Sequence, residues 1–139
     1  MIRVTLDTNV LASGFMRPSS VPGELLERWE AAHYLLLISE AIVTELEDTF
    51  ALPYFMAILT DRQRHEALNL LRKKATYVTL PPIIPSVATH PEDDLILATV
   101  AEGRANYLVT GDRQLQLLGS HAGAAIVSPR DFLALLERA

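Results

Sequence analysis

Apolar positions along the chain follow two rhythms. Ile2, Val4 and Leu6 alternate with Arg3 and Thr5, the period of a strand. Residues 34–38 are instead an unbroken apolar run, the mark of a strand covered on both faces. Residues 76–80, rich in β-branched and aromatic side chains, predict another strand, as do residues 106–110 and 124–127. Between these runs the spacing becomes helical. Residues 8–13 begin a short helix. Ser20 is a candidate N-cap for a helix carrying Leu25, Leu26 and Trp29, and Ser39 for one carrying Ile42, Leu46 and Phe50. Pro53 ends or kinks the latter. Thr60 or Asp61 caps a helix with Ala67, Leu68 and Leu71, whose terminal Lys73 and Lys74 suit the helix dipole.

The second half repeats the alternation. Pro91, Glu92, Asp93 and Asp94 form a first helical turn, continued by Leu95, Ala98 and Ala101 and expected to stop at Gly103. Gly111 breaks the strand before it, and Asp112 starts a short helix through Leu117 and Leu118. Ser128 and Pro129 open a last helix with Phe132, Leu135 and Leu136 facing inward. Pro81, Pro82 and Pro85, with Ser86 and Thr89 close by, read as a connector between two halves of one domain. The prediction is a single α/β domain spanning residues 1–139, three layers deep, with a mainly parallel central sheet flanked by helices.

Composition narrows the chemistry. At 139 residues and 50% hydrophobic, the chain has the size and the core of one domain. With no cysteine, disulfides and thiolate metal sites are excluded, so any metal must bind oxygen or imidazole. The opening Met1-Ile2-Arg3-Val4 lacks the pattern of a signal peptide, and no apolar stretch is long enough to span a bilayer. The expectation is a cytoplasmic protein with no membrane partner. A net charge of −5 argues against a broad non-specific grip on duplex nucleic acid. It leaves room for a nuclease, because acids gathered at a metal site lower the net charge and the cation reverses it locally.

Four acids stand out. Asp7 follows the first strand, Asp112 lies two residues past Thr110, Glu45 sits on the helix after Ile38, and Asp94 begins the helix leading to residue 107. In a parallel sheet, sites form beyond the carboxyl ends of the strands. Connection geometry alone leaves open at which end Asp94 lies. Gathered carboxylates resist ionising together, and a hard cation such as Mg²⁺ or Mn²⁺ resolves that conflict. Such a metal suits phosphodiester hydrolysis.

The string Leu6-Asp7-Thr8-Asn9-Val10-Leu11 resembles the opening motif of the PIN domain family of metal-dependent ribonucleases. The segment from Ser39 to Glu45 resembles that family's second acidic helix, Pro91-Glu92-Asp93-Asp94-Leu95 its third motif, and Tyr107-Leu108-Val109-Thr110-Gly111-Asp112 its fourth. Ser128-Pro129-Arg130-Asp131-Phe132-Leu133 is similar to the closing helix of the bacterial toxin–antitoxin subgroup. The resemblance covers nearly the whole chain. It implies an endoribonuclease toxin with Mg²⁺ or Mn²⁺, an RNA substrate, an antitoxin protein and a homodimer, for which the apolar residues 52–59 are a candidate surface. Asp7, Glu45, Asp94 and Asp112 become the catalytic and metal-holding set, with Asn9 and Thr110 hydrogen-bonding the carboxylates. Gln114 and His90 depart from the pattern, standing where the family commonly has further acids.

Each residue has a plainer reading. Asp94 in a first turn is favoured by the helix dipole alone, Asp112 by capping, and Glu45 as a surface acid. Asp7 is harder to dismiss, since a charge at the end of a core strand needs a partner. Asp93 reads as a solvated helix residue, and Arg72-Lys73-Lys74 as a helix terminus rather than an RNA patch. Arg17, Arg104 and Arg113 read as ordinary surface arginines, and Trp29 as core or a subunit contact. The four histidines show no metal-ligand spacing. Two other functions compete. One is a metal-dependent phosphatase, disfavoured because Asn9 stands where a second acid is needed. The other is an RNA-binding or scaffold domain that kept the fold and lost activity.

Overall fold

Val4, Thr5 and Leu6 are each 0% exposed, although successive strand residues face opposite ways. Both faces of β1 (Arg3–Leu6) are therefore covered, which is the helix–sheet–helix layering the sequence predicts. The structure is a computed structural model and describes residues 1–88 and 90–138, the side chain of Glu92 excepted. The expectations for Thr89 and for the Glu92 side chain lie outside these.

After β1 come α1 (Thr8–Met16), α2 (Val21–Glu30), β2 (Leu35–Ile38), α3 (Glu40–Phe50), α4 (Pro53–Met56), α5 (Asp61–Lys74) and β3 (Thr76–Tyr77). The second half adds α6 (Pro91–Gly103), β4 (Tyr107–Val109), α7 (Arg113–Leu118), β5 (Ser120–His121), β6 (Ala124–Val127) and α8 (Pro129–Arg138). The strands form one sheet in the order β3-β2-β1-β4-β6-β5. Every pairing is parallel except β5 with β6. From the central β1 the chain builds outward through β2 and β3, then returns to build β4 and β6 on the other side. The order reverses between β1 and β4, and a crevice at the carboxyl ends of such a pair is where α/β sheets place ligands.

Local chemistry explains most element boundaries. Ser20 caps α2 by accepting from the Gly23 amide at 3.2 Å. Thr60 caps α5 in a reciprocal box, its hydroxyl taking the Gln63 amide while the Gln63 side chain takes the Thr60 amide. α3 ends before Pro53, which opens α4. Arg72, Lys73 and Lys74 do close α5. Trp29, Leu25 and Leu26 are core. Tyr34, also core, donates its hydroxyl to the Leu25 carbonyl at 2.6 Å and stacks edge-on to Phe132.

Residues 8–13 begin α1 as expected, and the helix runs on to Met16. Two expectations need correction. The strand expected at residues 76–80 is limited to Thr76 and Tyr77, with a last bond from the Val78 amide to the Ile38 carbonyl. α6 stops at Gly103 as expected, and the left-handed residue just beyond it is Arg104, at φ 53°. Gly103 is there for room: a Cβ on it would stand 2.8 Å from Leu37 Cδ1 and 3.0 Å from Val78 Cγ2, so the helix can lie close to the sheet. Ser39 occupies the N-cap position of α3 but makes no capping bond, because its hydroxyl is used elsewhere.

Candidate active site

The parallel register pairs Val4 with Tyr107, Thr5 with Leu108 and Leu6 with Val109. One step further, Asp7 comes to stand beside Thr110, both on backbone amides that extend the ladder. The Thr110 hydroxyl donates to Asp7 Oδ2 at 2.6 Å. The Asp112 amide donates to the same Thr110 oxygen at 3.0 Å. That second bond occupies the oxygen as acceptor and turns its proton toward Asp7. Asp7, Thr110 and Asp112 are thus joined as one unit across the β1–β4 reversal.

Asp7 is 7% exposed. Burial pushes its carboxyl above the ordinary Asp range, and the nearby Asp112 charge adds to this, while the Thr110 hydroxyl and the Thr8 amide pull it down. Thr8, next in the chain, has a fully buried hydroxyl with no hydrogen-bond partner among the described residues. Of the influences on the Asp7 carboxyl, burial is the largest and the Asp112 charge the smallest.

Asp112 also caps α7, its Oδ1 accepting from the amides of Gln114 at 2.8 Å and Leu115 at 3.2 Å. The capping role is real and coexists with the pairing to Asp7, because a carboxylate has further lone pairs.

The position of Asp94 follows from how α6 is anchored. At its far end the Arg3 guanidinium Nε donates to the Gly103 carbonyl at 2.9 Å, and the Asn106 amide donates to the Arg3 carbonyl. The end of α6 thus sits at the start of β1. A helix of this length reaches about 20 Å, so its first turn lies toward the opposite, carboxyl end of the strands. The sequence left that point open. Ser39 and Thr99 help hold the helix there through a buried 2.8 Å bond between their hydroxyls. Thr99 also donates to the Leu95 carbonyl, which leaves Ser39 as donor in the pair.

The Asp94 carboxylate is turned to its own approach segment. Its Oδ1 accepts from the amides of Ala88 at 2.6 Å and Val87 at 2.9 Å, which hold its pKa below the ordinary range. No sequence signal marks these two amides, because they depend on how residues 81–88 fold back. Glu45 is half-buried on α3, a helix that packs against α1 and α6. Asn9 is exposed in the first turn of α1 and has no side-chain hydrogen bond among the described residues. Among the described residues no group of three or more acidic or histidine side chains converges closely enough to hold a metal. The seat on offer is the Asp7–Asp112 pair. Two carboxylate oxygens suit a hard cation, and Mg²⁺ is commonly bound by one or two carboxylates with water and substrate phosphate completing its shell.

The PIN domain family profile matches residues 3–114 of the chain. The remaining residues supply β5 and β6, which complete the sheet, and the closing helix α8. Among curated proteins no sequence relative is found. Among solved structures the fold is similar to a chain in the crystal structure of VapBC2 from Rickettsia felis bound to a DNA fragment from their promoter. That match has a TM-score of 0.60 and 14% identity, and covers 91% of this chain and 98% of the other.

Proposed function

Since the chain belongs to the PIN domain family, we propose that it is a divalent-metal-dependent endoribonuclease and the toxin of a toxin–antitoxin pair. The observation that carries this reading is the buried Asp7, held by Thr110 and repelled by Asp112 at the point where the strand order reverses. Asp7 and Asp112, with Asp94 completing the set, would hold a Mg²⁺ or Mn²⁺ ion, which would supply charge neutralisation at the scissile phosphate and a more acidic water. Thr110 holds the Asp7 carboxylate in place through its bond to Oδ2. Glu45 is assigned to orienting the attacking water, and one of the carboxylates takes its proton. Arg17, which donates to the Tyr54 hydroxyl at 2.9 Å, is left out of the RNA contacts.

The fold shared with a chain of the VapBC2 structure supports an antitoxin as partner. In residues 52–59, Leu52, Tyr54, Met56 and Ile58 are exposed while Phe55 and Leu59 are buried, which supports this stretch as a homodimer contact. No helix among the described residues is long and apolar enough to cross a membrane, in keeping with a cytoplasmic setting for such a toxin.

The deciding experiment is incubation of labelled single-stranded RNA with the protein plus Mn²⁺, with EDTA, and with Asp7→Asn. Cleavage that needs the metal and disappears in Asp7→Asn supports the reading. One observation favours a second function, a catalytically silent PIN fold that binds RNA: Asp94 Oδ1 already accepts two backbone amides. Intact RNA under every condition, with the fold verified, would select it.

A further inference from the structure

A cleft of about 260 Å³ opens between the start of α6 and α7. One wall is Val87, Ala88 and Asp93; the other is Gln114, Leu115, Leu117 and Leu118. Each wall is tied to a carboxylate of the candidate site. Asp94 holds the amides of Val87 and Ala88, and Asp112 holds those of Gln114 and Leu115. The cleft is therefore built on the same two side chains that flank the reacting centre, and shares their rigidity.

Its lining is mixed. Leu117 is 85% exposed, Val87 46% and Leu118 44%. A helix as short as α7 gains nothing from a leucine left in water, whereas a flat ring laid over these side chains would remove apolar surface from solvent. Polar selectivity comes from Asp93, which only accepts hydrogen bonds when ionised, and from Gln114, which both donates and accepts. The Gln114 side-chain carboxamide, unlike its backbone N–H, has no hydrogen-bond partner among the described residues. The volume lies below the roughly 300–1,000 Å³ of sites for drug-sized ligands, on the scale of one ring system.

We propose that this cleft receives one base of the RNA strand, next to the phosphate that is cut, and that Asp93 and Gln114 select a base carrying an amino donor. The assignment rests on the ribonuclease reading. Guanine fits best, because it presents adjacent N–H donors that a carboxylate can accept together. Uracil fits worst, because its two carbonyls face an acceptor-only group. Gln114, a departure from the family's acidic position, then acts as a specificity residue.

The test uses fluorescein-labelled single-stranded RNA pentamers that differ only in the central base, with Ca²⁺ as the cation. Binding is read by fluorescence anisotropy. Guanine is expected to bind about fivefold or more tightly than uracil. Replacing guanosine by inosine, which lacks the exocyclic amine, should remove part of that difference. Gln114→Ala and Leu118→Ala, both at exposed positions, should level the four bases at unchanged Tm, and Asp93→Asn should move the preference toward uracil. The proposal is overturned by equal Kd for guanine and uracil, or by a preference that survives both Gln114→Ala and Asp93→Asn. A cleft shaped for a partner protein's side chain gives that first result. Cleavage of the same pentamers with Mn²⁺ separates the two readings. Cutting without base preference keeps the nuclease and removes the cleft; base preference without cutting keeps the cleft and removes the nuclease. Absence of binding to any pentamer overturns both.

Discussion

Thr110 donates its hydroxyl proton to Asp7 at 2.6 Å from the neighbouring strand, one register step beyond the Leu6–Val109 pair. This bond stabilises the ionised form of Asp7 against the pull of burial. Without a metal, burial remains the larger effect.

Asp7→Asn should therefore stabilise the metal-free protein at neutral pH while abolishing activity. The amide oxygen still accepts from Thr110, and the buried charge is gone. The folded pKa of Asp7 lies above its unfolded value, so the native state holds the proton more tightly. The cost is absent below about pH 4 and grows as pH rises through the folded pKa. Differential scanning calorimetry of the metal-free protein at pH 7 should show a rise of roughly 2–4 °C in Tm, shrinking toward acid. An unchanged or lower Tm at pH 7 would contradict the assigned cause.

Asp94 has the opposite linkage. Its pKa is lowered by the Ala88 and Val87 amides, so its contribution is present above the ordinary Asp value and is lost as pH falls through the folded pKa. The Val87 and Ala88 amide resonances should shift together, with a midpoint below about pH 4, and Asp94→Asn should remove that titration. Movement of either amide near neutral pH would count against the pairing.

At Asp112 a pair of substitutions separates structure from chemistry. Asp112→Asn keeps an oxygen for the Gln114 and Leu115 amides and should leave stability within about 0.5 kcal/mol. Asp112→Ala removes the cap and should cost about 1 kcal/mol. Both should lose metal-dependent cleavage by a factor of about a hundred or more. Urea unfolding and RNA cleavage read the two effects. Full activity in Asp112→Asn would reduce this residue to a cap.

Arg104 adopts φ 53°, a conformation that side chains with a Cβ rarely take. Arg104→Gly should stabilise the fold by about 0.5–1 kcal/mol, provided α6 keeps its present end. Chemical denaturation measures it directly; a destabilised variant would show that the arginine side chain contributes more than its backbone costs.

The alternation of strand and helix was legible because burial writes itself into periodicity. Residues 34–38 are apolar throughout because β2 is covered on both faces. Where strands lie at the border of the sheet, the signal fades. Residues 76–80 looked like a full strand, yet the pairing with β2 stops at the Val78 amide, and Tyr77 is exposed. β5 was missed altogether: Ser120 and His121 are polar, and the turn after them relies on positive φ at Ala122 and Gly123. At the site, Asp7, Thr110 and Asp112 were readable together because register is a local consequence of adjacent parallel strands. The engagement of Asp94 was not, since it depends on a proline-rich segment without periodicity folding back onto α6. Gly103 marks the end of α6 as read, but its close clearance from Leu37 and Val78 was not legible, since it depends on how the helix lies on the sheet.

β3 and β5, the outermost members of the sheet, are two residues each. So little bare backbone leaves a neighbouring molecule almost nothing to zip onto. Crowded copies of this protein therefore find little at either rim on which to fuse into fibres.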